Sequence, residues 1–207
     1  MPVLSNTQVR FTIPADNRLL FHHMHGSEEL GKPFLYELTF FSEEGNLTPE
    51  DLLGQTVTVE LDLPDNSMLP NDGHRYFNGH VTRMARLGRH RSYHTYIATV
   101  RPWIWLLSRA RDCRIFQDMT IPEIIKEVFR KHGLTDFEES LTVSYEARNY
   151  VVQYRETDLS FVTRLMAQEG IYYFFRHEPT KHVLILADSY SAHCRTGVYD
   201  RRCVLQL

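Results

Sequence analysis

In the first half of this chain, apolar residues recur at every second position in short runs broken by turn-forming residues; after Arg101-Pro102 the spacing lengthens toward that of a helix. A period of two places alternate side chains on one face, so each run reads as a strand that buries one side against a shared core. Five such runs lie at residues 19–25, 34–41, 56–63, 76–87 and 93–100, enough for a small barrel or sandwich. The last two flank Gly88-Arg89-His90-Arg91, a polar turn of hairpin length. Between the runs, residues 47–54 offer a Thr cap, a proline at the first helical position and an exit glycine, which predicts one helical turn. Residues 63–73 are dense in turn formers and predict a surface loop.

Beyond the change of period, Thr120-Ile121-Pro122-Glu123 forms a capping box, in which the Thr120 and Glu123 side chains each satisfy an amide the helix leaves free. Ile121, Ile124, Ile125, Val128 and Phe129 then fall on one stripe, and Lys131, His132 and Gly133 suit a C-terminus. A second helix is expected from the Thr157 cap to Gly170, burying Phe161, Val162, Leu165 and Met166. Two apolar runs, residues 171–177 and 182–188, are bridged by Glu178-Pro179-Thr180-Lys181 and predict a hairpin. The expected class is therefore α+β, mainly β: a first barrel-like β subdomain over residues 1–110, then a helical insertion and part of a second α/β subdomain over residues 111–207.

Charge and cysteine usage narrow the function. A formal net charge of −3 gives no general field toward nucleic acid, and Arg83, Arg86, Arg89 and Arg91 read as a solvated strand edge. Three widely spaced cysteines, Cys113, Cys194 and Cys203, make neither a disulfide framework nor paired zinc ligands. No stretch is long and apolar enough for a membrane span, and the N-terminus lacks the pattern of a signal peptide. The scattered glycines form no phosphate loop or dinucleotide fingerprint, and no serine sits in a GxSxG elbow.

Four groups merit testing as chemistry. His22, His23 and His25 supply imidazoles, although a strand would put His23 and His25 on one face and His22 on the other. His90 and His94 need a distant carboxylate to act as an acid-base pair. Cys113 lies among Arg109, Arg111 and Arg114, whose charge favours a thiolate, but burial as a small hydrophobe is the expected state. Trp103, Trp105, Tyr172, Tyr173, Phe174 and Phe175 fit packing between subdomains better than a ligand pocket, with Phe174 and Phe175 facing opposite sides of a strand.

An ordered series of motifs remains. It runs Gly31-Lys32-Pro33-Phe34-Leu35-Tyr36-Glu37-Leu38, Leu52-Leu53-Gly54, Arg75-Tyr76-Phe77-Asn78-Gly79-His80-Val81 and Arg101-Pro102-Trp103-Ile104-Trp105-Leu106-Leu107. It continues through Cys113-Arg114-Ile115-Phe116-Gln117, Val152-Gln153-Tyr154-Arg155-Glu156-Thr157-Asp158 and Glu169-Gly170-Ile171-Tyr172-Tyr173. Together these resemble the N-terminal hub module of the VgrG family, the spike proteins of type VI secretion systems, over roughly residues 11–188.

The resemblance implies a phage tail-hub-like fold and a structural subunit at the base of a puncturing spike, joining a hexameric tube to a trimeric needle. The implied partners are full-length spike chains in a homotrimer, the tube protein and baseplate components, with no cofactor, no catalytic or metal-binding residue, no nucleic acid and no stable membrane insertion. It also implies a bacterial cytoplasmic stage before assembly and export through the type VI apparatus without a signal peptide. A baseplate hub or late-control protein of a contractile-tailed prophage is the neighbouring alternative; a small metal-dependent enzyme centred on His22, His23 and His25 is the alternative of another class. The chain ends before the family's oligosaccharide-binding-fold barrel and needle, and residues 194–207 read as a departure from the family, through truncation or a shifted frame. Within the motifs, Gly79 is expected to permit a strand bend, Gly54 and Gly170 to end helical segments, and Arg155, Glu156 and Asp158 to cap locally, with Arg155 pairing a carboxylate.

Overall fold

A computed structural model describes residues 9–13, 19–62 and 74–193. Cys194, Cys203, the loop expected over residues 63–73 and the terminal stretch from residue 194 lie outside the described residues. Six strands form the first sheet: β1 (Val9–Thr12), β2 (Leu20–Ser27), β3 (Leu35–Ser42), β4 (Thr56–Asp62), β5 (His74–His90) and β6 (Tyr93–Arg101), in the order β1-β4-β5-β6-β3-β2. All its pairings are antiparallel. Burial alternates as the sequence predicts: Val57, Val59 and Leu61 of β4 point inward, as do Tyr96, Ala98 and Val100 of β6. The sheet curls until its edges approach, with the rings of Phe11 on β1 and Phe21 on β2 6.2 Å apart.

The β5–β6 hairpin is longer than expected. β5 runs on to His90 and the turn falls at Arg91-Ser92, with Arg91 in the left-handed region at φ 54°. The predicted turn glycine, Gly88, instead sits at a register shift between Arg86 and Gly88 that leaves Leu87 as the extra, exposed residue. β4 pairs with β5 only as far as His80, so Arg83, Arg86 and Arg89 lie where that side of β5 has no strand partner.

The short helix α1 (Pro49–Leu52) starts at Thr48, whose backbone N–H donates to Asp51 Oδ2 at 2.8 Å, and Gly54 leaves it at φ +80°. After β6 the chain makes a 3-10 helix (Trp103–Arg109), then β7 (Arg111–Phe116), α2 (Ile121–Lys131), β8 (Phe137–Ser140), β9 (Val151–Thr157), α3 (Asp158–Glu169), β10 (Tyr172–His177) and β11 (His182–Ala187). α2 carries its predicted capping box, Glu123 N–H donating to Thr120 Oγ1 and Thr120 N–H to Glu123 Oε2. α3 begins at Thr157, which accepts from Ser160 N–H, and ends on Gly170 in the left-handed conformation. β10 and β11 form the expected hairpin, and β8 adds to β11 in parallel.

Two apolar cores result. One is drawn from Ile13 to Val100 inside the curled sheet. The other runs from Trp103 to Leu186, where the stripes of α2 and α3 meet β10, β11 and the 3-10 helix. Phe175 touches both. Among the described residues no helix is long and apolar enough to cross a membrane.

Candidate functional site

The polar groups that join the two cores are the most built feature of the molecule. β10 and β11 bring His177 and His182 against Asn78 on β5, residues about a hundred positions apart in sequence. The Trp103 backbone N–H donates to His182 Nε2 at 2.9 Å, so Nδ1 carries the proton and donates to Asn78 Oδ1, also at 2.9 Å. The Asn78 N–H donates to His177 Nδ1 at 3.0 Å, so His177 Nε2–H faces the Tyr36 hydroxyl at 3.1 Å, and Tyr36 donates onward to Glu28. Asn78 Nδ2 donates to Thr58 Oγ1 at 2.7 Å, and that hydroxyl donates to the Pro179 carbonyl at 3.0 Å. Every polar atom of the Asn78 side chain is thereby used to tie β4 and β5 to the β10–β11 hairpin.

Aromatic rings close the seam. Phe34 stacks on Tyr36 at 4.5 Å and meets Phe175 edge-on at 4.9 Å, while His80 meets His182 at 5.6 Å. Gly79 makes this approach possible: a Cβ there would lie 2.6 Å from Val100 Cγ1 and 3.1 Å from Phe34 Cε2. It serves close packing. Burial pushes the His177 pKa down to about 4. Burial, with His177 and His80 adding to it, pushes that of His182 down to about 2. Burial first, and the Glu28 carboxylate after it, hold the Tyr36 hydroxyl well above its ordinary value. All three groups are neutral hydrogen-bonding partners at neutral pH.

A second polar cluster explains two motifs. Arg114 on β7 donates to Gln153 Oε1 and to Asp158 Oδ1, the latter at 2.8 Å. Gln153 Nε2 also donates to Asp158, and His132 at the end of α2 bonds the other carboxylate oxygen. Asp158 is 1% exposed, so the β7–β9 ribbon is locked to the ends of α2 and α3 through one buried carboxylate. Asp158 therefore does more than cap α3. Among the described residues Arg155 pairs with no carboxylate: it is the extra residue of a bulge, at φ 53°, and its guanidinium lies 5.2 Å from the Tyr154 ring.

The residues singled out for chemistry disperse. His23 and His25 share a face as expected, opposite Thr39 and Glu37, while a bulge between Phe21 and His23 leaves His22 as the extra residue, its ring 4.9 Å from that of His23. His23 Nε2 is 3.3 Å from Thr39 Oγ1, and burial, with His22 beside it, lowers its pKa. These three histidines do not converge as metal ligands. Among the described residues only Glu60, Asp62 and His74 bring three ligand atoms within 4.8 Å of one another. There the Arg10 guanidinium already bonds Glu60 at 2.9 Å and Asp62 at 3.2 Å, an ion-pair clamp across β1, β4 and β5.

His90 stacks on Phe41, and His94 Nδ1 accepts from Arg86 at 2.6 Å; among the described residues neither bonds a carboxylate. Cys113 is exposed on the outer face of the ribbon beside Tyr154, contrary to the expected burial. Ile115, Val152 and Tyr154 share that face, at 59%, 38% and 65% exposure. Of the aromatics, Trp103 and Tyr173 are core, Phe175 faces Phe34, and Phe174 packs on His193 on the opposite side of β10.

Two β-based units bonded through a closed polar seam define a structural module, and its curled six-stranded sheet beside a helix-covered hairpin is the architecture of a tail hub. The family described as phage tail baseplate hub (GPD) matches residues 27–201, and the chain belongs to it. That match reaches past Asp188 to Arg201, further than the motif series suggested.

The type VI secretion system spike protein VgrG1a of Pseudomonas aeruginosa is 50% identical over 181 residues, covering 87% of this chain and 27% of the relative. VgrG1b of the same organism is 48% identical, covering 84% and 23%. The actin cross-linking toxin VgrG1 of Vibrio cholerae is 34% identical over 84% of this chain and 16% of the toxin. Among solved structures, the E. coli c3393 protein, described as a component of the type VI secretion system similar to the T4 bacteriophage tail proteins gp27 and gp5, aligns with a TM-score of 0.79 and 28% identity over 90% of this chain and 51% of its own. The chain thus spans about a quarter of the length of the curated spike relatives it matches.

Proposed function

We propose that this chain forms part of the base of a type VI secretion spike, a structural hub that assembles with two further spike chains and seats the needle on the tube. The match of residues 27–201 to the baseplate hub family carries the reading, and the 50% identity to VgrG1a favours a secretion spike over a prophage tail. Its two units divide between Val100 and Trp103, where one core ends and the other begins, and the Asn78 seam makes them one load-bearing body.

The non-enzymatic part of the reading is supported by what surrounds each candidate: packing for His90, an arginine for His94, and an open ribbon face for Cys113. The toxin among the relatives shares only 16% of its length with this chain, so its toxin activity is not carried over. Export through the secretion apparatus follows from the same reading.

Light scattering and pull-down against the tube protein and a full-length spike subunit test it. Co-assembly is expected; a chain that stays monomeric and binds neither refutes the proposal.

A further inference from the structure

The outer face of the curled sheet carries a groove of about 370 Å³, bounded by β3, β5, β6 and the 3-10 helix. Arg83 and Glu37 both oppose Thr99 across the strands, Leu35 and Arg101 lie beside that row, and Trp105 and Arg109 close the groove from the helix. The Arg101 and Arg109 guanidinium carbons stand 4.8 and 5.6 Å from the Trp105 ring, which forms an aromatic floor between two cations.

None of Arg83, Arg101 and Arg109 pairs with a carboxylate among the described residues, and Glu37 on the rim forms no ion pair with them. In a chain with a net charge of −3, a groove with three arginines to one carboxylate, none of them ion-paired, is locally positive. Arg101 is the least compensated: its Nε is buried without a hydrogen-bond partner, so the guanidinium has lost part of its hydration and gained no acceptor. An anion meeting its outer nitrogens recovers some of that cost.

We propose that this groove binds the side-chain carboxylate of a partner polypeptide, an Asp or Glu flanked by apolar residues. Arginine forks match a carboxylate bidentately, and Trp105 and Leu35 receive the flanking apolar atoms. Glu37 in the same groove disfavours a polyphosphate or nucleic-acid strand, whose successive charges would face it. The inference stands on the groove alone and does not depend on the spike reading.

Trp105 makes the groove its own reporter, since Trp103 is buried in the second core. The test titrates the protein near neutral pH and low salt with millimolar amounts of four probes, following tryptophan emission. The probes are a blocked pentapeptide with a central glutamate between leucines, its glutamine counterpart, inorganic phosphate and a single-stranded oligonucleotide. The glutamate peptide should give a saturable change that W105F abolishes, with the glutamine peptide at least about tenfold weaker, as expected for loss of a charge-assisted hydrogen bond. Arg109→Gln, an exposed change, should weaken binding by about tenfold while leaving the unfolding curve in place. Equal binding of the glutamine peptide, tighter binding of phosphate or oligonucleotide, no saturable change, or an unaffected Arg109→Gln variant each overturns the proposal.

Discussion

Acidification should weaken this fold through two side chains, His177 and His182, well before its carboxylates titrate. Both pKa values are lowered in the folded chain, to about 4 and about 2, against about 6.5 for an unfolded histidine. Above pH about 6.5 both states are neutral at these positions and no stability is lost. As the pH falls below that value the unfolded chain takes up two protons that the folded chain refuses, and each histidine removes about 1.4 kcal/mol per pH unit. At pH about 5 the pair has removed about 4 kcal/mol, a large share of the 5–15 kcal/mol typical of a domain. His177 stops contributing below about 4, where its folded form also protonates, while His182 continues lower. His80, lowered chiefly by burial, adds in the same direction.

Asp188 lies outside this window. Burial acts against its ionised form, but the N–H groups of Val143 and Thr142 hold it down to about 2, so its contribution disappears only below the ordinary carboxylate range. Urea unfolding followed by tryptophan emission at several pH values between about 7 and about 5 measures the slope. His177→Gln and His182→Gln, which keep a polar group but cannot titrate, should each roughly halve it. A wild-type slope no steeper than that of either variant refutes the account of the seam.

Two substitutions probe packing and the buried carboxylate. Gly79→Ala places a methyl 2.6 Å from Val100 Cγ1 and should cost about 1–3 kcal/mol, read as a lower unfolding midpoint at unchanged denaturant slope. Asp158→Ala removes the carboxylate shared by Arg114, Gln153 and His132, leaving Arg114 its bonds to Gln153 and Asp112, and should cost about 1–3 kcal/mol by the same assay, against about 1 kcal/mol for the usual loss of a helix cap.

The strands of the first sheet were readable because one face of each is dry, so burial imprints a period of two on β2 to β6. The helices were readable because Thr120, Thr157 and Gly170 act locally, on atoms within one turn. The β7–β9 ribbon defeats the same logic: beside Phe116 its inward residues include Arg114 and Gln153, polar and bonded to Asp158, while Ile115, Val152 and Tyr154 face out. Alternation there points to the wrong side. β8, with Glu138 and Glu139 at its centre, carries no apolar run at all and exists because β11 offers it an edge. The seam left no local trace, since Asn78, His177 and His182 meet only after both units form. Its one sequence sign was that Asn78 falls within a motif that gave it no role of its own.

The spike assignment is tested most directly by exchange. Replacing the matching 181-residue segment of P. aeruginosa VgrG1a with this chain's counterpart keeps the relative's remaining parts and asks only whether this module can serve as their base. Secretion of the chimera in a strain lacking its own VgrG1a, together with the oligomeric mass of the unaltered relative, is the predicted result. A chimera that folds, as judged by its unfolding curve, yet neither assembles nor leaves the cell would contradict it.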